Sequence, residues 1–504
     1  MSLRARRSLA LVVALAVFAV TQMLATAIPQ EQAEVISDGF ELVGHEPLNS
    51  RGMNAAPAVH GDYVYVGSRT DGLPHHRTPG LLVVDVSDPA NPHVVHEIGP
   101  PVAGNVSETT RELRIWPQQE VLIVLTFGCS SIIHACAGSE VRSIRRYDFF
   151  DISGENAAHP VHVSTYTPRF TPHEMFLWVD PVTPADRALM FWSAPTTSRV
   201  NPSMVVTDIS RWREGVFPEV NWVAEFEAPD EDRRLHSIAV SNDGSRTYLA
   251  FLGSGFLSLD TSEVADGVPN PEIRYVIQPE DRVRWSDPGA HTSARLFGTD
   301  IGFTTDEVYG DALDPITLQD HGCPWGWMRF IDLSDETKPV VISEYRVEEN
   351  DPAYCQTVPG GTPANTAFTS YASHNPTFTD DLVFVTWHSA GLEAVDLSDP
   401  LNPTRAGKFK PEPLPSVATE DPALSMGLDK VVMWSYPIIQ DGLIYVVDVR
   451  NGLYILRYTG AGSPEVDSIG FLEGNSNLGD ALRYEPLDRC DLVRRQIARG
   501  GRPT

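Results

Sequence analysis

The chain has 504 residues and a formal net charge of −29, with 38 lysines and arginines against 67 acidic residues. An acidic surface repels phosphate backbones, and no basic stripe in the sequence offsets that repulsion. We therefore expect no nucleic-acid partner.

The first 27 residues are typical of a cleaved signal peptide. Three arginines lie within the first seven residues, and residues 9–20 form an uncharged apolar run that is too short to span a bilayer comfortably. Ala25 and Ala27 are small residues that suit signal peptidase, so we expect cleavage near Ala27 and a secreted or otherwise extracytoplasmic protein. No later stretch reaches membrane length, and we expect no membrane span. The mature chain would carry a net charge of −32, because the removed segment contains three arginines and no acidic residue.

One phrase recurs along the rest of the chain: an apolar run, then Asp-x-Ser, often followed by a proline-containing turn. Its copies are LLVVDVSDPANP ending at Pro92, YDFFDIS at 147–153, MVVTDIS at 204–210, FLSLDTS at 256–262, MRFIDLSDETKP at 328–339, LEAVDLSDPLNP at 392–403 and a degenerate LYILRYT at 453–459. A further β-rich run precedes each copy, and another follows most of them. Each unit is therefore interpreted as four short strands, a to d, with the phrase on strand c. Seven such units without helical periodicity predict an all-β fold, a seven-bladed β-propeller of four-stranded blades.

The phrase LLVVDVSDPANP resembles the signature of bacterial LVIVD-repeat proteins, and the resemblance extends over roughly residues 40–472. It implies a β-propeller and agrees with an export signal. It implies no particular activity, because that family is mostly without assigned chemistry and propellers carry many unrelated functions.

The predicted organisation has four parts. After the signal peptide, residues 28–50 form an N-terminal segment that packs on the propeller, residues 51–475 form the propeller itself, and residues 476–504 form a charged C-terminal tail. Two segments, 40–45 and 466–472, compete for the outer strand of the last blade. We expect the N-terminal segment to pack there.

The long insertions all fall on one face of the predicted disc. The b–c and d–a connections share that face, and they contain the insertions at 128–146, 306–327, 348–372 and 410–431. The turns of the opposite face are short. Because loops usually carry function, we expect the loop-rich face, called the top face, to bind an unidentified ligand or cell-surface component.

Four of the five cysteines lie in these top-face loops. Cys129 and Cys136 share one loop, and Cys323 and Cys355 lie in the two loops that flank blade five. In an oxidising compartment we expect Cys129–Cys136 and Cys323–Cys355 disulfides, with Cys490 left over in the tail.

Histidines recur where strand a begins in four consecutive blades, at His173, His236, His291 and His374. Arg111 takes the same place in blade two. Strand a is the innermost strand, so these side chains should meet at the top mouth of the central channel. Imidazole is a common ligand of zinc, iron and copper, and the four histidines therefore predict a site for one transition metal ion.

Three charged residues belong to the same predicted site. Arg111, Glu112 and Glu174 are expected to orient the histidines, balance their charge or contact a substrate. There is a structural alternative: blade duplication can copy a histidine with no shared ligand, and each ring can bond the backbone of a neighbouring blade. If the rings point apart, the metal site is excluded.

Two functions remain open at this point. The first is a binding or interaction scaffold that acts through the top face. The alternative is a metal-dependent enzyme, an oxidoreductase or a hydrolase, that uses the histidine ring.

Overall fold

The computed structural model describes residues 35–70, 77–99, 108–128, 145–226, 233–285, 289–296, 298–307, 326–351, 353–354, 370–420 and 429–479. These residues all fall within one compact unit. The predicted signal peptide (1–27) lies outside the described residues, as do 28–34 of the N-terminal segment and 480–504 of the tail.

The described chain is built almost entirely from short β-strands. In chain order they are β1 (Ile36–Asp38), β2 (Phe40–Glu46), β3 (Asn54–His60), β4 (Tyr63–Ser68), β5 (Leu81–Asp85), β6 (His93–Ile98), β7 (Glu108–Trp116), β8 (Val121–Gly128), β9 (Arg145–Asp151), β10 (Val161–Tyr166), β11 (Met175–Val179), β12 (Ala188–Ser193), β13 (Met204–Asp208), β14 (Glu219–Trp222), β15 (Leu235–Val240), β16 (Arg246–Phe251), β17 (Gly255–Asp260), β18 (Arg274–Tyr275), β19 (Ala290–Arg295), β20 (Ile301–Asp306), β21 (Met328–Asp332), β22 (Val340–Tyr345), β23 (Pro376–Phe378), β24 (Leu382–Trp387), β25 (Gly391–Asp396), β26 (Thr404–Lys410), β27 (Ile438–Gln440), β28 (Leu443–Asp448), β29 (Gly452–Tyr458) and β30 (Phe471–Glu473).

Among the described residues, helical structure is confined to short connecting turns. The α-helices are α1 (Ser262–Ala265) and α2 (Ser463–Asp467), and the 3₁₀ turns are Leu48–Ser50, Pro117–Gln119, Gly154–Ala157, Trp212–Glu214, Pro279–Asp281 and Glu348–Asn350. Among the described residues, no helix has the length and apolarity to cross a membrane.

The strands form antiparallel sheets in which neighbours along the chain are neighbours in space. Strands β11 to β14, β15 to β18 and β19 to β22 each make a four-stranded sheet in sequence order. An eight-stranded sheet contains β3 to β6 and β7 to β10, which are joined by a single pairing between Ser68 and Thr110. With that sheet divided at this pairing, the described strands fall into five units of four strands and two units of five. The all-β propeller class predicted from the sequence is confirmed.

The repeated Asp-x-Ser phrase ends strand c by a local hydrogen bond. Strands β5, β9, β13, β17, β21 and β25 all end at the aspartate of the phrase. In blade one the backbone N–H of Ser87 donates to Asp85 Oδ1 over 2.9 Å, and the Ser87 hydroxyl donates to the same oxygen over 2.7 Å. The same backbone bond recurs in five further copies, at 2.8 to 3.1 Å. The aspartate side chain thus provides a hydrogen-bond acceptor for a backbone N–H of the turn, where the strand pairing ends.

The core lies between successive blades. Ile123 and Tyr147 of blade two pack with Leu177 and Trp192 of blade three in one cluster of fully buried side chains. Because both faces are covered in this way, strands such as β11 and β12 are almost continuously apolar and do not alternate between apolar and polar residues.

Both segments that compete in the sequence for the last blade contribute a strand, but at opposite edges. Strand β2 pairs with β29 as the outer strand of blade seven, and β1 extends the outer edge of blade six by pairing with β26. Strand β30 pairs with β27, the inner strand of blade seven. Val466 lies in α2 and not in an outer strand.

The chain after β30 crosses to blade three. Ser476 forms a parallel bridge with Leu177 of β11. The Asn477 side chain accepts a hydrogen bond from the Val179 backbone N–H over 2.8 Å and donates to the Val179 carbonyl over 2.7 Å. Residues 476–478 are therefore buried against the inner strand of blade three, although the sequence places them in the tail.

Candidate functional site

A repeated irregularity of strand a presents the candidate side chains. In β15 the pairing register shifts between Leu235 and Ser237, in β19 between Ala290 and Thr292, and in β7 between Thr110 and Glu112. The residues that the register skips are His236, His291 and Arg111. A bulge re-aims the side chain of the extra residue, which explains why these three blades present a polar group at the same place.

The structure brings the four predicted histidines together. The ring centroids lie 4.3 Å apart for His173 and His236, 4.0 Å for His236 and His291, and 3.8 Å for His291 and His374. Nε2 of His173 is 2.8 Å from Nε2 of His236. The rings form a continuous row, and the arrangement in which they point apart is excluded.

The row contains two further residues that the sequence did not single out. His388 follows strand β24, with its ring centroid 5.2 Å from that of His374. Glu307 follows strand β20, and its Oε1 lies 3.4 Å from His374 Nε2 and 3.7 Å from His388 Nε2. Its Oε2 lies 3.8 Å from His291 Nε2. In an antiparallel pair the end of strand b lies beside the start of strand a. A polar residue directly after strand b was therefore the signal in the sequence that could have indicated Glu307 and His388.

Hydrogen bonds at Nδ1 fix the orientation of the rings. His374 Nδ1 bonds the Trp434 carbonyl over 2.5 Å, so this nitrogen donates and carries the proton. His236 Nδ1 bonds Ser237 Oγ over 2.9 Å, and the Ser237 hydroxyl itself donates to Glu174. In both neutral rings the lone pair is therefore on Nε2, which faces the cluster.

His291 and His388 have the same arrangement. His291 Nδ1 bonds Thr292 Oγ1 over 2.9 Å, and that hydroxyl donates to Asn375 over 3.1 Å. His388 Nδ1 lies 2.8 Å from Ser370 Oγ. Within the described residues, Nε2 of His291 and Nε2 of His374 are buried and make no hydrogen bond. An oriented ring whose second nitrogen is bonded to the protein is the usual state of a metal-ligating histidine.

Burial keeps these imidazoles neutral. It lowers the pKa of His236 and of His388 to about 3, and it lowers the pKa of His291 and His374 well below the usual range. Neutral imidazole is the form that binds metal ions.

The charged residues predicted for the site lie at the His173 end of the row. Arg111 Nη1 is 3.5 Å from His173 Nδ1, and Arg111 Nη2 is 3.9 Å from Glu174 Oε1. Burial and the neighbouring Glu112 raise the pKa of Glu174 to about 8. Glu112 accepts a hydrogen bond from Arg114 over 3.1 Å. Arg111 and Arg114 therefore supply the positive charge beside Glu112 and Glu174 at this end of the row.

An arginine and a tryptophan enclose the other end. Trp434 lies against His374 and His388, with ring centroids 4.5 and 4.7 Å away. The guanidinium carbon of Arg69 sits 4.1 Å from the centroid of the Trp434 ring. Trp434 thus contacts both imidazoles and the Arg69 guanidinium.

The four cysteines of the predicted disulfides, Cys129, Cys136, Cys323 and Cys355, lie outside the described residues. The long top-face loops that contain them also fall largely outside the described ranges. The disulfides and the top-face binding surface stay predictions.

The family comparison matches the LVIVD repeat at residues 55–98, which covers strands β3 to β6 of blade one. The protein therefore carries an LVIVD repeat. In this LVIVD-repeat propeller the matched segment contains the Asp85 turn described above. No curated protein matches the chain.

Several solved structures resemble the LVIVD-repeat propeller at low sequence identity. Sqt1 from Chaetomium thermophilum is 10% identical over 82% of this chain and 86% of its own, with a TM-score of 0.44. The periplasmic gluconolactonase PpgL of Pseudomonas aeruginosa is 13% identical over 79% and 97%, with a TM-score of 0.46. The β-propeller domain of Cps50 (Swd1) from Myceliophteria thermophila is 8% identical over 83% and 98%, with a TM-score of 0.43. At these values the similarities carry no inference about activity.

Proposed function

We propose that this LVIVD-repeat propeller is a metal-dependent enzyme with a transition-metal centre at the mouth of its channel. One observation carries the proposal: buried imidazoles from blades five and six direct Nε2 toward the Glu307 carboxylate while Nδ1 is bonded to the protein. Nitrogen and carboxylate donors suit zinc, iron and copper.

A purely structural role does not explain the cluster, because burying these groups lowers the stability of the fold. Burying a nitrogen lone pair without a hydrogen bond disfavours folding, and Nε2 of both His291 and His374 is in that position within the described residues. A histidine that blade duplication had copied, and that served only packing, would need one hydrogen bond to the backbone of a neighbouring blade. His374 has such a bond to the Trp434 carbonyl. Packing alone would not need a row of five rings in which three face one carboxylate.

The metal would supply either Lewis-acid or redox chemistry when bound, and its identity separates the two enzyme classes. Iron or copper in the purified protein favours an oxidoreductase, whereas zinc favours a hydrolase. Export of the protein, which the N-terminal sequence supports, places this chemistry outside the cytoplasm.

The proposal is tested by elemental analysis of the purified protein. We expect a transition metal to be bound, and we expect a His291→Ala/His374→Ala variant to lose metal while its far-UV circular dichroism is unchanged. His162→Ala is the matched control, because that histidine is 39% exposed and bonds Asp148 and Thr165 away from the cluster. A protein that binds no transition metal would contradict the proposal and favour the binding scaffold.

A further inference from the structure

The cluster contains more donors than one metal ion uses. Three groups of residues have ligand atoms that lie within 4.8 Å of one another: His173, Glu174 and His236; His236, His291 and Glu307; and Glu307, His374 and His388. A single zinc, iron or copper ion takes four to six ligands in total. Among the described residues, no group contains both His236 and His388.

Glu307 lies between two pairs of histidines. Its Oε2 is 3.8 Å from His291 Nε2, whereas its Oε1 is 3.4 Å from His374 Nε2 and 3.7 Å from His388 Nε2. The two oxygens of one carboxylate therefore face different imidazoles. This arrangement suits a carboxylate that bridges two ions and is not needed by one that binds a single ion.

The four rings do not converge on one point. Ligand atoms of His236 and His291 lie close to Glu307 in one group, and those of His374 and His388 lie close to it in another, although the His291 and His374 rings are themselves neighbours. Each ring is also fixed through Nδ1. Among the described residues no group contains all four rings, and the close packing of the blades resists the movement that would gather them on one ion.

We propose that the centre holds two metal ions bridged by Glu307. One ion is bound by His236 and His291, and the other by His374 and His388. This inference rests on the metal site proposed above. In two-metal enzymes the ions lie about 3.5–4 Å apart, a distance that one carboxylate spans.

The third group does not fit a further ion. His173 Nδ1 lies 3.5 Å from Arg111 Nη1, and Glu174 Oε1 lies 3.9 Å from Arg111 Nη2. The guanidinium charge repels a cation at that position. His173 and Glu174 thus lie beside the two-metal centre, although the sequence predicts His173 as a ligand.

The test is the number of ions that the full chain binds. The protein is stripped with a chelator, dialysed against Zn²⁺, passed over a desalting column and analysed for zinc per chain. We expect two ions for the wild type and for the His162→Ala control. We expect one or fewer for His236→Ala/His291→Ala and for His374→Ala/His388→Ala.

The outcomes separate this inference from the proposed function. One ion in the wild type, or two retained by either double variant, overturns the two-metal centre and leaves a metal site in place. No ion in the wild type overturns both proposals.

A second measurement tests the two-metal centre in the wild type alone, so it does not depend on whether the variants fold. In the wild type loaded with Cu²⁺, two ions bridged by a carboxylate give a spin-coupled electron paramagnetic resonance spectrum. An uncoupled spectrum of isolated Cu²⁺ at full loading overturns the inference.

Discussion

Arg51 is the side chain whose loss should weaken blade one most. It is only 1% exposed, and burial lowers its pKa to about 9. Its guanidinium donates to Asn54 Oδ1 (2.7 Å) and to the carbonyls of Thr78 (2.9 Å), Gly80 (3.0 Å), Val66 (3.3 Å) and Gly67. One side chain thus joins the segment before β3 to strand β4 and to the start of β5.

An Arg51→Met variant keeps much of the volume but removes every donor. Four backbone carbonyls would lose a partner, and an unsatisfied buried acceptor costs about 1–3 kcal/mol. Taking the low end for each, and allowing for the relieved burial of a charge, we expect the free energy of unfolding to fall by about 2–4 kcal/mol. Arg51→Lys keeps the charge and three donors, so we expect roughly half that loss.

The assay is urea unfolding at pH 7, followed by tryptophan fluorescence and far-UV circular dichroism. The loss should appear as a lower midpoint at unchanged slope. Arg211→Met is the matched control, because that side chain is 60% exposed in a surface pair with Glu214, and it should change stability by less than about 0.5 kcal/mol. An Arg51→Met protein within about 1 kcal/mol of the wild type would refute the reasoning, since such a loss is smaller than one unsatisfied acceptor predicts.

Two further predictions concern stability. Burial raises the pKa of Asp448 to about 6, so the folded protein holds this proton more tightly than the unfolded chain does, and stability falls as pH rises from about 4 to about 6. Over that interval we expect the free energy of unfolding of Asp448→Asn, measured with urea, to fall by about 2–3 kcal/mol less than that of the wild type. An equal dependence of stability on pH in the two proteins would contradict this prediction. Gly391 begins β25 at φ +95°, and an added Cβ would lie 2.2 Å from the Phe409 carbonyl oxygen. We expect Gly391→Ala to cost about 2–4 kcal/mol in the same assay, whereas Gly99→Ala, with no atom within 4 Å, should be nearly neutral. Equal stabilities of these two variants would refute the argument.

Much of the fold could be predicted because the repeat is local. The aspartate that ends strand c accepts a hydrogen bond from a serine two residues later, as Asp85 does from Ser87. The end of that strand can therefore be predicted from a few consecutive residues. The row of histidines was predictable for a related reason. Once strand a is taken as innermost, its first residues in successive blades must lie near one axis, as His236 and His291 do.

Only the tertiary structure decided the composition of the site and the closure of the ring. Glu307 and His388 follow strand b, but their local sequence alone does not distinguish them from other polar residues at strand ends. Their role depends on contacts with strands of neighbouring blades. Likewise β2 and β30 reach opposite edges of blade seven. The pairing of β2 with β29 spans more than 400 residues, and it depends on which sheet edge remains open. Residues close in sequence determined the blades, and residues distant in sequence determined what the blades enclose.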